Sequence, residues 1–284
     1  MATAPPVRRR LVGKALRRYR ERLGYTLEDV ARVLECHPSK ISRIETGERG
    51  IRVKELRELL DEYRIEGEQR ALLAELADPR GAFGWYRDYA DVLPGAQRDY
   101  VILEAAASRI TVFEAQRVPG LLQTPSYARA LAKSDPFLRD DAARDRAVEA
   151  LMSRQQAVLH GERRPEIHLV VGAAALHQEV GSAQVMEEQV RVLAEVATNS
   201  GRLTLQVLEF DSGAHAAAGE GTMEILEFAE NPSQSLVHLG GIAGGICLEG
   251  QADLAAYGHA FGQLRSFALS PSQSSLLLRG LAGD

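Results

Sequence analysis

Two short apolar-periodic stretches with a tight break between them, LEDVARVL and PSKISRIE, constrain this chain more than any other feature. Val30, Ala31 and Leu34 in the first and Ile41 and Ile44 in the second recur at the spacing of one helical face. Helices this short do not stand alone in water, so each must bury its stripe against the other. The small Ala31 lets them cross closely, at a steep angle. The punctuation agrees with this reading. Gly24 is placed to end a preceding helix in the left-handed conformation. Thr26 is an N-cap with Asp29 in the capping-box position, where glutamate is more usual. Pro38 fits the first turn of the second stretch, where its missing N–H is no loss, and Gly47 closes it.

Further helices flank this pair. Leu11, Ala15, Leu16, Tyr19 and Leu23 share one face of a helix before it, and 52–63 and 66–77 read as two helices after it. The expected fold class is thus an N-terminal all-α unit of about five helices over 8–77, followed by a larger α+β domain. Between them, 78–99 is rich in glycine, proline and aromatics and lacks periodicity; it reads as a linker whose Trp85 and Tyr86 must pack on something. The second domain spans 100–275 and leaves a tail over 276–284, with a short helix in the closing stretch. Helices are expected at 100–109, 125–133, 140–160, 183–199 and 252–268, and strands at 111–117, 166–171, 203–209, 222–228, 235–240 and 245–249.

Charge divides the chain in the same place. Residues 1–50 hold 12 lysines and arginines against 6 acids, a net +6, which leaves −11 for the rest of a chain whose total is −5. A basic head on an acidic body points to a polyanion as partner. Arg8, Arg9 and Arg10, and the arginines over 17–20, are expected to contact phosphates or to form a flexible basic arm. No apolar run approaches the length of a membrane span, and the arginine-rich start has no apolar run behind it. The two cysteines, Cys36 and Cys247, are far apart and form neither a disulfide framework nor a zinc motif. A cytoplasmic protein with reduced thiols is expected.

The residues left outside the second short helix are Pro38, Ser39, Lys40, Ser42 and Arg43. A helix N-terminus favours phosphate, arginine reads guanine bidentately in the major groove, and serine serves either a base or a phosphate. The expected contacts to double-stranded DNA are these five with Thr26, Arg17 and Arg18. The stretch YTLEDVARVLECHPSKISRIETGER resembles the Xre/Cro-type helix-turn-helix, in which the second short helix is the recognition helix. In that family the residue opening the first short helix is often a glutamine that touches the backbone; here it is Leu27.

The body also carries a resemblance. VPGLLQTPSYARAL (118–131), Arg154-Gln155, LTLQVLEFDSGAHAAAGEGTMEILEF and YGHAFGQLRSFALSPSQSS resemble the C-terminal domain of WhiJ-like, antitoxin-like actinobacterial regulators. The resemblance implies a transcription regulator whose body senses a small neighbour-encoded partner protein or a small-molecule effector. The alternative it implies is an antitoxin-like interaction protein that binds a small neighbour-encoded partner, with DNA binding serving autoregulation. Two acids common in that pattern are missing: Ala173 stands where one precedes Ala-Ala-Leu, and the late Tyr-x-Glu falls on His238 and Gly240. From the residues themselves, Pro119-Gly120 is expected to form a turn of type II, with Thr124 capping a helix that starts at Pro125. That segment is either a structural brace or a ligand site.

No catalytic, metal-binding or cofactor-binding set is read. GGIAGG (240–245) lacks the Lys-Ser/Thr of a phosphate loop and reads as a hairpin turn, His215 reads as a loop residue, and no histidines are spaced as H-E-x-x-H. An enzyme with a DNA-targeting head would need a constellation that the sequence does not offer. One helix-turn-helix covers few base pairs, so an inverted repeat and a homodimer are expected. The basic heads repel one another, so the dimer is expected to be joined through residues beyond 78.

Overall fold

The computed structural model describes residues 5–78, 84–93, 95–198, 201–228, 235–242 and 244–283. Five helices come first: α1 (Val7–Arg22), α2 (Leu27–Val33), α3 (Pro38–Glu45), α4 (Val53–Glu62) and α5 (Gly67–Ala77). Their boundaries follow the local chemistry. Gly24 and Gly47 take positive φ (74° and 77°) just past α1 and α3. Thr26 and Asp29 form a reciprocal capping box on α2, and Pro38 occupies the first turn of α3. Leu11, Leu16, Val30, Ile41, Ile44, Leu56 and Leu73 are buried together between the five.

The second part is a six-stranded mixed sheet of β1 (Arg109–Glu114), β2 (Glu166–Gly172), β3 (Leu203–Leu208), β4 (Thr222–Glu227), β5 (Leu236–Leu239) and β6 (Ile246–Leu248). The strand order is β3-β2-β1-β4-β5-β6. β1, β2 and β3 are parallel to one another, whereas β4, β5 and β6 add antiparallel. Parallel neighbours need crossovers. These are α7 (Pro125–Ala132) with α8 (Asp141–Leu159), and then the short α9 (Ala174–His177) with α10 (Ala183–Thr198). Helices therefore interleave with the first three strands, and only the last three bunch. α6 (Gly95–Ala106) leads into the sheet; α11 (Gln251–Phe267) and α12 (Pro271–Ala282) follow it.

Alternation divides the sheet's two faces. Ile110, Val112, Leu169, Val171, Leu226 and Leu236 face the larger core, which is continuous with that of the five-helix unit. Phe113, Val170, Met223, Ile225 and Val237 face a smaller core closed by Phe261 and Leu264 of α11.

Two expectations are corrected here. α6 begins at Gly95, not at 100, because its first turn, GAQRD, is polar and leaves no periodic trace; the buried residues start at Tyr100. The turn at Pro119-Gly120 is not type II. Gly120 is absent from the positive-φ residues and opens a 3-10 turn over Gly120–Leu122, with the Leu122 amide donating to the Pro119 carbonyl. The segment is a brace. Gln155 donates to the carbonyls of Gly120 and Gln123, each at 2.8 Å. Gln189, fully buried on α10, accepts from the Thr124 amide and donates to the Leu122 carbonyl. Tyr127 accepts from the Val118 amide. Every one of these buried polar groups is bonded, as a rigid corner requires. The stretch around Trp85 packs too: Tyr89 meets Ser153 and lies under Arg146, both on α8.

Candidate nucleic-acid interface

α3 is eight residues long, with one face inside and one outside. Ile41 and Ile44 are buried at 1% and 3% exposure. Ser39 and Arg43, one helical turn apart, are exposed, and Ser42 lies half-buried beside them. The Arg43 guanidinium is 3.6 Å from Glu48, in a pair exposed on both sides and hence weak. The helix is capped by a residue not foreseen from sequence: the His37 ring accepts from the Ser39 amide at 3.2 Å and meets its hydroxyl at 2.8 Å. Histidine is a rare cap, and only its place directly before Pro38 hinted at it.

The eight expected contact residues do not form one surface. Pro38, Ser39, Ser42 and Arg43 are gathered on α3. Lys40 points toward α4, where its ammonium is 2.7 Å from Glu55. Burial alone would raise the Glu55 carboxyl, but the Lys40 hydrogen bond, the Arg52 amide and the charges of both together hold it below the usual range. Thr26 is exposed at the front of α2, its hydroxyl held in the capping box. On α1, Arg17 is exposed and paired with Glu21, and Arg18 is exposed with its guanidinium over the Tyr19 ring. Arg52 and Lys54, in the turn after α3 and at the start of α4, are exposed cations that the sequence reading passed over.

The basic run 8–20 behaves differently from expectation. Arg8, Arg10 and Arg20 are neither a flexible arm nor free for phosphate; each lies in helix α1 against an internal acid. Arg20 grips Glu45 at the end of α3 through two bonds, 2.7 and 2.9 Å, and donates a third to the Tyr25 carbonyl. This pair ties α1 to α3 in a buried setting. The backbones come close as well, since a Cβ on Gly13 would lie 2.5 Å from the carbonyl oxygens of Ile44 and Glu45. Arg8 donates to Asp99 of α6 and to the Leu76 carbonyl, both at 3.1 Å. Arg10 and Lys14 share Glu249, just after β6, at 2.8 and 2.6 Å. Arg163 pairs with Glu75 at 2.5 Å. Acids of the body thus seat the basic helix of the head. Burial pushes the Asp99 carboxyl up, and Arg8 offsets part of that.

Inside the body, a charged network lies on the larger-core face of the sheet. Arg154 of α8 holds the fully buried Glu104 of α6 at 2.5 and 2.7 Å and lies over the Tyr100 ring. Glu224 of β4 receives the His238 ring of β5 at 2.7 Å, and that ring stacks on Tyr100. Burial would lower the His238 imidazole; the bond and charge of Glu224 raise it above its ordinary value. Burial would raise the Glu224 carboxyl; His238 and Arg154 hold it down. The other His238 nitrogen meets the Gly244 carbonyl in the 240–245 hairpin. There Gly245 has φ 77°, and a Cβ would strike the Leu239 carbonyl and the His238 ring. The hairpin turn expected for GGIAGG is present, except for residue 243, which lies outside the described residues. The histidine standing in place of the pattern's tyrosine is therefore a bonded member of this network.

His215 lies in the 209–221 loop with its Nδ1 buried and without a partner, edge-on to Phe113. Among the described residues no cluster has the composition of a metal site, and no helix is long and apolar enough to cross a membrane.

Comparison with known proteins finds two families along the chain. Residues 11–73 match a family described as a helix-turn-helix domain. Residues 97–280 match one described as a domain of unknown function, DUF5753. No curated protein and no solved structure matches the chain. The second match covers well over half of the sequence and takes in the whole mixed sheet, so the chain belongs to the DUF5753 family, with a helix-turn-helix domain as its head.

Proposed function

We propose that this protein is a sequence-specific DNA-binding transcription regulator of the Xre type rather than an enzyme. The observation that carries the reading is the two-sided α3: Ile41 and Ile44 lock its inner face, while Ser39 in its first turn and Arg43 in its last stand outward with Ser42 half-buried between them. A capped short helix with a rigid base can enter a major groove and offer these side chains to base edges. In this reading the exposed Arg52 and Lys54, at the front of α4, meet flanking phosphates, and so do the exposed Thr26, Arg17 and Arg18. Lys40 takes part only if it leaves Glu55. Selection of bound duplexes from a random pool gives the site, and Arg43→Ala is then tested on it. The expected cost is roughly 1–3 kcal/mol on the selected site and much less on unrelated DNA. An equal loss on both would reduce Arg43 to a phosphate contact and remove the base-reading role.

We further propose that the chain acts as a homodimer joined through its body, on an inverted repeat. The two edges of the sheet are unlike. β3 is closed, because the Leu269 amide donates to the Val207 carbonyl and Ser274 accepts from the Val207 amide. No described segment pairs with the outer edge of β6, and Ile246 and Ile242 are exposed there at 58% and 83%. An open strand edge beside apolar side chains favours pairing with a second copy. The body's role toward a small partner protein, as in the antitoxin-like regulators it resembles, belongs to this same reading.

A further inference from the structure

A cavity of about 150 Å³ opens in the head between α1, the loop after α3 and the end of α5. That is roughly the volume that takes a benzene-sized group. Its floor is apolar, with Val12, Ile44 and Leu76 in it, and its rim carries Arg8, Arg9 and Arg49. The three arginines are not equivalent. Arg8 is neutralised by Asp99 and fixed in orientation by its second bond to the Leu76 carbonyl. Arg9 and Arg49 are exposed, and neither guanidinium has an ion-pair partner among the described residues. The Arg49 backbone is anchored, its amide donating to the Arg43 carbonyl at 2.9 Å, so its side chain starts from a fixed point. Among the described residues no acid lines the cavity; of its lining Asp99 reaches only Arg8, from α6. The mouth therefore carries excess positive charge over a small apolar floor.

We infer that this cavity binds a small organic oxyanion, a carboxylate on a compact aromatic or branched apolar group. A guanidinium presents paired donors that match a carboxylate, and two such forks outweigh the loss of its hydration when the apolar part is buried at the same time. A neutral ligand of the same shape would leave the arginines unmatched. Inorganic phosphate would match them but leave the floor empty. Binding here stands independently of what α3 reads, since no residue of the outward face of α3 lines the cavity.

The experiment uses the full chain with isotope-labelled isoleucine methyl groups. Ile44 and Ile51, both lining the cavity, are followed by NMR as sodium benzoate, benzamide, inorganic phosphate or a short unrelated duplex is added at constant ionic strength. The expected result is a saturable shift of both methyls with benzoate and none with benzamide. Arg9→Gln and Arg49→Gln should each weaken benzoate by roughly tenfold. Both side chains are exposed, so the variants should melt with the parent. Equal shifts with benzamide, or benzoate binding unchanged in both variants, overturns the proposal. So does a result in which phosphate and duplex move these methyls and benzoate does not, which would make the cavity a seat for the DNA backbone.

Discussion

Glu114 sits on the central strand with 2% exposure, and burial pushes its carboxyl up from 4.5 to about 7, with Arg117 pulling back and Glu224 pushing further. Between those values the folded chain binds more protons than the unfolded one, so stability falls as pH rises from 4.5 to about 7. At 1.36 kcal/mol per unit the loss approaches about 3 kcal/mol. His238 acts in the same direction over a higher window: its stabilisation is complete below 6.5 and is lost as pH climbs through its raised value. Urea unfolding at pH 5, 7 and 8 should show Glu114→Gln flatter than the parent between the first two and more stable than it at the third. Identical slopes would mean that Glu114 is ionised in the fold. None of this was legible in the sequence. Glu114 is one acid in TVFEAQR, and its burial comes from the strands on either side of it, β2 and β4, which lie far away in the chain.

Elements were more legible than residues, and the reason is local. Each short helix of the head carries its own start and stop, so Thr26, Pro38, Gly24 and Gly47 mark boundaries that the structure keeps. The strands of the body were also found, because alternating or continuous apolar runs bounded by turns depend on few distant partners. What stayed hidden was which charged side chain meets which. Arg20 looks in sequence like its neighbours Arg17 and Arg18, yet it is the one turned inward to Glu45. Gly13 was hidden for the same reason: its lack of a side chain matters only because α3 ends against it. On an exposed helix Gly→Ala would gain up to ~1 kcal/mol. Gly13→Ala should instead destabilise the chain by about 2 kcal/mol, because backbone oxygens must move. Thermal melting decides it: a higher melting temperature would rule out the close approach of α1 and α3.

At the scale of the whole molecule, head and body are joined by ion pairs and by a shared core, so the position of β6 also sets the position of the head. Glu249 follows that strand directly and holds Arg10 and Lys14. Two chains paired along β6 would therefore hold their heads at a fixed spacing. Light scattering should find the full chain as a dimer and Ile246→Lys as a monomer with the same melting temperature. A dimer that survives Ile246→Lys would move the joint elsewhere. The same seam changes what the salt dependence of DNA binding can report. Affinity for a polyanion gains from small cations set free from its atmosphere, about 0.9 for each phosphate that the protein neutralises. Arg8, Arg10, Lys14 and Arg20 already have carboxylates of their own and can set none free. The logarithmic salt slope should therefore be unchanged in Arg10→Gln and shallower by about 1 in Arg52→Gln, although both remove one positive charge. The entropy of released counterions then comes from the exposed cations, Arg52 and Lys54 with Arg17 and Arg18, and the four paired cations of α1 contribute almost nothing to it.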